Sequence, residues 1–238
     1  MSGGELAVVA VAVLVGAAVQ GSIGFGLNLI AAPVLALADP DLVPGPAIVI
    51  AFVMTLLVAS SEWRDIDLRS VRWAVYGRVP GSLAGAVAVA VLSARSLSLA
   101  IGVSVLVAVA VNASGVYVRP TRAVLIGAGA ASGLMGTASS IGGPPMAMAL
   151  HGSTGASMRG TLSAFFLLGT IISVVLLWVV GEFGVQDLSA SVVLLPPVLL
   201  GFAASRFVAP HVDGARLRTG VLVLSSLAAI SVIVTALA

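Results

Sequence analysis

Long apolar segments alternate with short polar connections along almost the whole chain. Most of these segments have about the ~20 residues that a helix needs to cross the hydrocarbon core of a bilayer. The pattern therefore predicts an all-α polytopic membrane protein. The eight apolar segments cover residues 6–38, 42–60, 71–92, 97–117, 123–150, 157–180, 189–208 and 217–237.

Two of the segments contain a glycine-rich centre that weakens a continuous helix. In the first segment, the stretch from Gln20 to Asn28 reads QGSIGFGLN, and Pro33 follows it. In the fifth segment, the stretch from Gly133 to Pro145 reads GLMGTASSIGGPP. Because glycine lowers helix stability and proline lacks an amide donor, we expect each of these segments to break near its centre.

The two broken segments belong to an internal repeat. Three positions of the first stretch recur in the second at a constant offset of 112 residues, and later matches drift to an offset of 116 to 118. We therefore predict a first repeat over residues 1–118 and a second over residues 119–238. The matched pairs are Gly21 and Gly133, Gly24 and Gly136, Pro33 and Pro145, Pro80 and Pro196, Gly85 and Gly201, and Gly102 and Gly220.

The length of the broken segments favours hairpins that enter and leave the membrane on one side. As one straight helix, residues 6–38 would extend ~50 Å, whereas the bilayer core is ~30 Å thick. Folded at its glycines, the same segment gives two arms of about 16 residues each. Residues 123–150 have the same glycine centre and allow the same fold.

The distribution of arginines also favours hairpins, because basic residues in short loops mark the cytoplasmic side. If all eight segments cross, five arginines lie on each side and no orientation is preferred. If residues 6–38 and 123–150 are hairpins, nine arginines share one side and Arg95 alone faces them; Arg78 lies inside a segment and is not counted. Each half then has one re-entrant hairpin and three transmembrane helices. This count predicts two inverted repeats with both chain termini outside, a common plan of secondary transporters.

Composition excludes several classes of protein. Hydrophobic residues make up 60% of the chain, only 8% are charged, and cysteine is absent. A thiolate nucleophile and a cysteine-ligated metal are thus ruled out, and His151 and His211 lie too far apart in sequence to form a good ligand set. All nine acidic residues fall outside the apolar segments. We therefore expect neither an enzyme nor a cofactor or metal site, and a net charge of +2 indicates no nucleic-acid partner.

Anion binding is the chemistry that the broken segments support. The second arm of each hairpin begins with unpaired backbone amides and a partial positive charge, which can hold an oxyanion. The alternative is that the glycines and serines only form close helix contacts. We predict a midplane site between the two glycine turns, formed by Gln20, Ser22, Gly24, Gly26, Asn28, Gly136, Thr137, Ser139, Ser140, Gly142 and Gly143, with Arg78 and Arg159 as further candidates.

Three ionisable residues each have two interpretations. Arg78 either faces a substrate cavity or extends to the cytoplasmic headgroups. Arg159 either belongs to the site or is a cytoplasmic anchor just before residues 157–180 enter the membrane. His151, a candidate for coupling, either lies at the interface or carries protons, because the pKa of histidine is ordinarily close to neutral pH.

The glycine stretches resemble the paired motifs of the sulfite exporter TauE/SafE family, also called the four-toluene-sulfonate uptake permeases. The resemblance rests on Gln20 to Pro33, on Gly133 to Pro145 and on the stretch SMRGTLSAFF from Ser157 to Phe166. The second stretch departs from the family at residues 138–140, where further glycines are common. The resemblance implies a permease, commonly an exporter, of sulfite, organosulfonates or related small organic anions in a bacterial inner membrane.

Two functional hypotheses follow. The first is a secondary transporter whose partners are a small anion and the lipid bilayer, with a homodimer as an open alternative. The second is a non-transporting membrane scaffold or assembly subunit. Polar clusters at matching places in both halves favour transport. Because no carboxylate lies in the membrane, we expect the anion to follow the membrane potential or to cross with its own proton, while Na⁺ and His151 remain alternative coupling routes.

Overall fold

A computed structural model describes residues 3–113, 118–150, 153, 155–208 and 214–237. Every regular element in these ranges is helical, which confirms the predicted all-α class. Six helices are long and apolar enough to cross a membrane. The α-helices are α1 (Gly3–Ile23), α2 (Leu27–Ala38), α3 (Gly45–Ser61), α4 (Leu68–Val91), α5 (Ala94–Ala113), α6 (Arg122–Ser139), α7 (Gly143–Ala149), α8 (Gly155–Val179), α9 (Val185–Val208) and α10 (Gly214–Leu237).

The first glycine-rich stretch interrupts the helix between α1 and α2, as predicted. Gly24 and Gly26 have φ angles of 94° and 128°, a conformation that residues with a Cβ atom rarely adopt. The amide of Leu27 then donates to Gln20 Oε1 over 3.1 Å, which holds the start of α2 against α1. The two arms are unequal, with 21 and 12 residues. Pro33 lies inside α2 and does not end it.

The second glycine-rich stretch interrupts the helix between α6 and α7. Ser140 adopts a left-handed conformation with a φ angle of 61°, and α7 begins two residues after Ile141. Pro144 and Pro145 occupy the first turn of α7, where a missing amide donor costs no helical hydrogen bond. These arms are also unequal, with 18 and 7 residues.

Glycines bring α4 and α6 into backbone contact. A Cβ atom added at Gly133 would lie 2.6 Å from the carbonyl oxygen of Arg78, and one added at Gly85 would lie 2.7 Å from that of Leu134. Gly81 meets the backbone of α6 in the same way. Such close approach is typical of helix pairs in membranes, where small residues allow extensive van der Waals contact. These glycines therefore form close helix contacts, which was the alternative interpretation from the sequence.

Contacts between helices repeat in a matching pattern in the two halves of the chain. The first arm of each broken segment packs mainly on a helix of the other half: α1 on α9, and α6 on α4. In the same way, α3 contacts α9 while α8 contacts α4, and α2 contacts α10 while α7 contacts α5. The helices α3 and α8, and likewise α5 and α10, pack on each other. The two halves of the chain are therefore interleaved.

Candidate functional site

Both helix breaks border one small cavity. Its volume is about 60 Å³, several times the ~10–15 Å³ that one water molecule needs. Side chains from α3, α4 and α8 complete the wall, so the cavity lies where the two halves of the chain meet. The lining residues are Gln20, Phe25, Gly26, Asn28, Leu29, Ile48, Ala51, Thr55, Arg78, Gly136, Ser140, Ile141, Gly142, Gly143, Pro144, Phe166, Thr170 and Ser173.

Arg78 places a positive charge at this cavity. Arg78 is 3% exposed. Its Nη1 atom donates to the carbonyl oxygen and to Oγ of Ser132 over 2.9 and 3.1 Å. Nη2 donates to Ser173 Oγ over 3.2 Å, and the guanidinium carbon lies 5.5 Å from the centre of the Phe165 ring. All of these partners are neutral. The guanidinium therefore faces the cavity, which was one of the two interpretations of Arg78 from the sequence, and does not extend to the headgroups.

The charge of Arg78 has no counter-ion among the cavity-lining residues that the structure describes. None of those residues is Asp or Glu, and the buried Nε atom of Arg78 has no hydrogen-bond partner. Burial of an unpaired charge is unfavourable by several kcal/mol. An anion in the cavity would offset much of that cost, and this arrangement can therefore bind one.

Three glycines leave the space that the guanidinium occupies. A Cβ atom added at Gly136 would lie 2.9 Å from Nη1 of Arg78, and one at Gly142 would lie 3.1 Å from the same atom. A Cβ atom at Gly169 in α8 would lie 2.7 Å from the central carbon of the group. The distances at Gly136 and Gly169 are shorter than real Cβ atoms show, and the distance at Gly142 is tighter than most real contacts. These three glycines therefore make room for the guanidinium of Arg78.

Asn28 joins the first break to the second break and to α3. Its Nδ2 atom donates to the carbonyl oxygens of Ala47 and Ser140 over 3.0 and 3.1 Å. Ser140 Oγ in turn donates to the carbonyl oxygen of Pro44 over 3.0 Å. Asn28 is 5% exposed, and its Oδ1 atom has no partner among the described residues. A cavity-lining residue thus has one buried acceptor that the described residues leave unpaired.

The structure brings eight of the predicted site residues to the cavity and leaves five elsewhere. Ser22 and Ser139 donate within their own helices, to the carbonyl oxygens of Ala18 and Met135. Thr137 lies behind the wall and shares a 2.7 Å hydrogen bond with Ser173. The eight that line the cavity are Gln20, Gly26, Asn28, Arg78, Gly136, Ser140, Gly142 and Gly143.

Gly24 and Arg159 form a contact of their own away from the cavity wall. A Cβ atom added at Gly24 would lie 2.9 Å from Cα of Arg159. The Nε and Nη2 atoms of Arg159 donate to Glu62 Oε1 over 3.0 and 2.6 Å. This ion pair ties the start of α8 to the connection between α3 and α4. His151, the predicted coupling candidate, lies outside the described residues.

Several residues in or beside the cavity wall were not predicted. Ser132 lies beside the wall and accepts hydrogen bonds from Arg78. It could have been found, because it matches Gln20 at the same offset of 112 that relates the glycines. Thr170 and Ser173 of α8 and Thr55 of α3 carry only a weak signal, a polar residue within an apolar segment, that many other serines and threonines of the chain share. Their place in the wall depends on how α3 and α8 cross.

The fold and the cavity define a polytopic helical membrane protein in which Arg78 is the one cation among the described residues of the cavity wall, where two broken segments meet. The sulfite exporter TauE/SafE family model matches residues 8–232. The chain belongs to this family of membrane transporters, which implies a small anion as the substrate. No curated protein and no solved structure matches it significantly.

Proposed function

We propose that the protein is a secondary transporter that exports sulfite or a related small organic oxyanion, which binds between the two helix breaks. The observation that carries this proposal is Arg78, a buried guanidinium at the cavity with no carboxylate among the described lining residues. Charge-assisted hydrogen bonds from arginine to an oxyanion are about twice as strong as neutral ones. In a site of low dielectric constant, the attraction is stronger than in water.

Arg78 adds a full charge to the predicted attraction from the backbone amides, and not every position at the breaks offers an amide. At the first break, the amide of Leu27 is already bonded to Gln20 Oε1. At the second break, Pro144 and Pro145 provide no amide donors. Beside the predicted binding by backbone amides, we propose that Gly136 and Gly142 make room for the guanidinium and that the guanidinium binds the anion.

We also propose two inverted repeats over residues 1–118 and 119–238, each with one re-entrant hairpin and three transmembrane helices. The exchange of helix partners supports this, because α1 packs on α9 as α6 packs on α4. In transporters of this plan, substrate binds at the repeat interface and the two repeats move relative to each other. The cavity lies at that interface.

Direction and location follow from the charges. With both termini outside and the nine arginines inside, the protein would reside in a bacterial inner membrane whose potential is positive outside. That potential favours exit of an anion by ~2.3 kcal/mol per charge per 100 mV. An exporter of this kind needs no carboxylate in the membrane.

The test is efflux of radiolabelled sulfite from proteoliposomes under an imposed potential, with equal pH and without Na⁺. We expect the flux to follow the potential and to fall by about ten-fold or more in Arg78→Gln, which removes the charge. Arg72→Gln is the matched control, since Arg72 is an exposed arginine of the same helix.

Two results would contradict the proposal. Normal flux in Arg78→Gln would mean that the anion does not bind at this cavity. Flux that ignores the potential and is lost in His151→Ala would make His151 the proton carrier. If the purified protein carries no anion under any of these conditions, the scaffold hypothesis gains support.

A further inference from the structure

We propose that the cavity selects a singly charged oxyanion that retains one O–H group, such as hydrogensulfite, and that Asn28 Oδ1 accepts the hydrogen bond from that group. This inference rests on the proposed transport function and adds the protonation state of the substrate to it. Arg78 and Asn28 then recognise two different parts of one ion: its negative charge and its proton.

The orientation of the Asn28 amide is determined by its neighbours. The Nδ2 atom has two carbonyl oxygens as partners, on Ala47 and Ser140. Because a carbonyl oxygen can only accept, a flipped amide would place three oxygens together. Oδ1 is therefore the free atom, and it is a pure acceptor that requires a donor. Each buried acceptor without a partner carries a desolvation cost that a bound donor removes.

The charge of the site favours a monoanion. Arg78 is the only ionisable residue in the cavity wall that the structure describes. Leu194, which matches Arg78 at the offset of 116, is buried and apolar, so the second repeat adds no second cation there. A monoanion neutralises Arg78, whereas a dianion leaves one negative charge buried without a partner.

The two requirements together exclude other anions of similar size. A sulfonate such as methanesulfonate has the correct charge but has no O–H group, so Asn28 Oδ1 stays unpaired. Sulfate and fully ionised sulfite lack the proton and carry twice the charge. A site built to bind a hydroxyl group rejects analogues that lack it, because its own polar atom is then left buried without a partner.

Proton movement follows from this selection. Each hydrogensulfite ion that crosses takes one proton and one negative charge with it, and the proton stays on the substrate oxygen throughout. No residue of the cavity wall has to gain or lose a proton. Binding therefore depends on pH through the protonation of the substrate, because the described residues of the cavity wall include no group that titrates near neutral pH.

The experiment measures binding of radiolabelled sulfite to purified wild-type protein below and above the second pKa of sulfurous acid, with methanesulfonate as competitor. We expect tighter binding of total sulfite below that pKa. Below it, methanesulfonate should bind about ten-fold or more weakly than hydrogensulfite. Both measurements use the wild-type chain and do not depend on how a variant folds.

The variant Asn28→Leu then tests whether Asn28 causes the preference for hydrogensulfite over methanesulfonate. This variant keeps the branched shape of the side chain but removes the Oδ1 acceptor together with the Nδ2 donor to Ala47 and Ser140. The preference for hydrogensulfite over methanesulfonate should fall from about ten-fold to about equal binding. Ser82→Ala is the matched control. Ser82 is a buried residue one turn from Arg78 whose Oγ atom also lacks a partner, but it does not line the cavity. We expect Ser82→Ala to prefer hydrogensulfite over methanesulfonate to the same extent as the wild type.

Three outcomes would overturn the inference. Equal wild-type binding of methanesulfonate and hydrogensulfite, or tighter binding above the pKa, would show that the O–H group is not recognised, while anion binding itself and the proposed function would stand. A requirement for Na⁺ that disappears in Asn28→Leu would assign Oδ1 to a cation. Absence of any anion binding would overturn the proposed function as well.

Discussion

At the scale of single residues, the site depends on one charge and on the small residues around it. Arg78 is held by Ser132 and Ser173, which orient the guanidinium without neutralising it. Gly136 and Gly142 leave room for its Nη1 atom. A larger residue at either glycine would move the guanidinium of Arg78 but would not remove its charge.

We expect Gly136→Ala to weaken sulfite binding by about ten-fold or more, because displacement of a binding group by about 1 Å is enough for such losses. The added Cβ atom would lie 2.9 Å from Nη1 of Arg78. Gly127→Ala in the same helix meets no atom within 4 Å, and it should bind sulfite like the wild type. Titration calorimetry on both purified variants checks this, and equal affinities would contradict the account of Gly136.

At the scale of elements, the packing of α4 on α6 positions Arg78 beside the second break. Gly81 and Gly133 let the two backbones touch, so α4 reaches α6 without intervening side chains. At the start of α4, Asp67 accepts hydrogen bonds from the amides of Arg69 and Ser70 and caps the helix. The position of Arg78 therefore depends on contacts along the whole of α4.

Gly81→Ala should lower the midpoint of thermal unfolding, because its Cβ atom would overlap the backbone of Ala130 and force α4 and α6 apart. Overpacking of this kind typically costs about 1–3 kcal/mol. Gly220→Ala in α10 has no atom within 4 Å and should leave the midpoint unchanged or raise it slightly. Scanning fluorimetry in detergent compares them. A higher midpoint for Gly81→Ala would show that the two helices are not in contact there.

At the scale of the whole molecule, polar contacts away from the cavity also join distant parts of the chain. Arg95 at the start of α5 donates to the carbonyl oxygen of Leu237 at the end of α10 over 3.0 Å. The ion pair between Glu62 and Arg159 joins the connection after α3 to the start of α8. In the proposed topology, the first contact lies outside and the second lies inside.

Single cysteines can test this topology, because the chain has none of its own. We expect Gly3→Cys and Leu237→Cys to react with an impermeant thiol reagent added to intact cells. Asp65→Cys, at an exposed position between α3 and α4, should react only after the membrane is permeabilised. Labelling of Asp65→Cys in intact cells, or protection of Gly3→Cys, would contradict the inverted arrangement with both termini outside.

Local features of the chain predicted the helices and the places where they break. Hydropathy and segment length depend on neighbouring residues alone, so the apolar segments agree with the observed helices to within a few residues. The break at Gly24–Gly26 follows from the same kind of local rule, because only glycine adopts those backbone angles easily. Arg78 was recognised as unusual because an arginine inside an apolar segment is rare.

The tertiary structure decided which of these residues meet. Arg159 pairs with Glu62, 97 positions away, whereas Arg78 turns to the cavity; both were candidates for the same role. Ser173 reaches the site through the crossing of α8 with the other helices, and Asn28 Oδ1 is free because Ala47 and Ser140 occupy Nδ2. These outcomes depend on contacts between residues far apart in the chain, and such contacts are set by how the helices pack and not by the local sequence around any one of them.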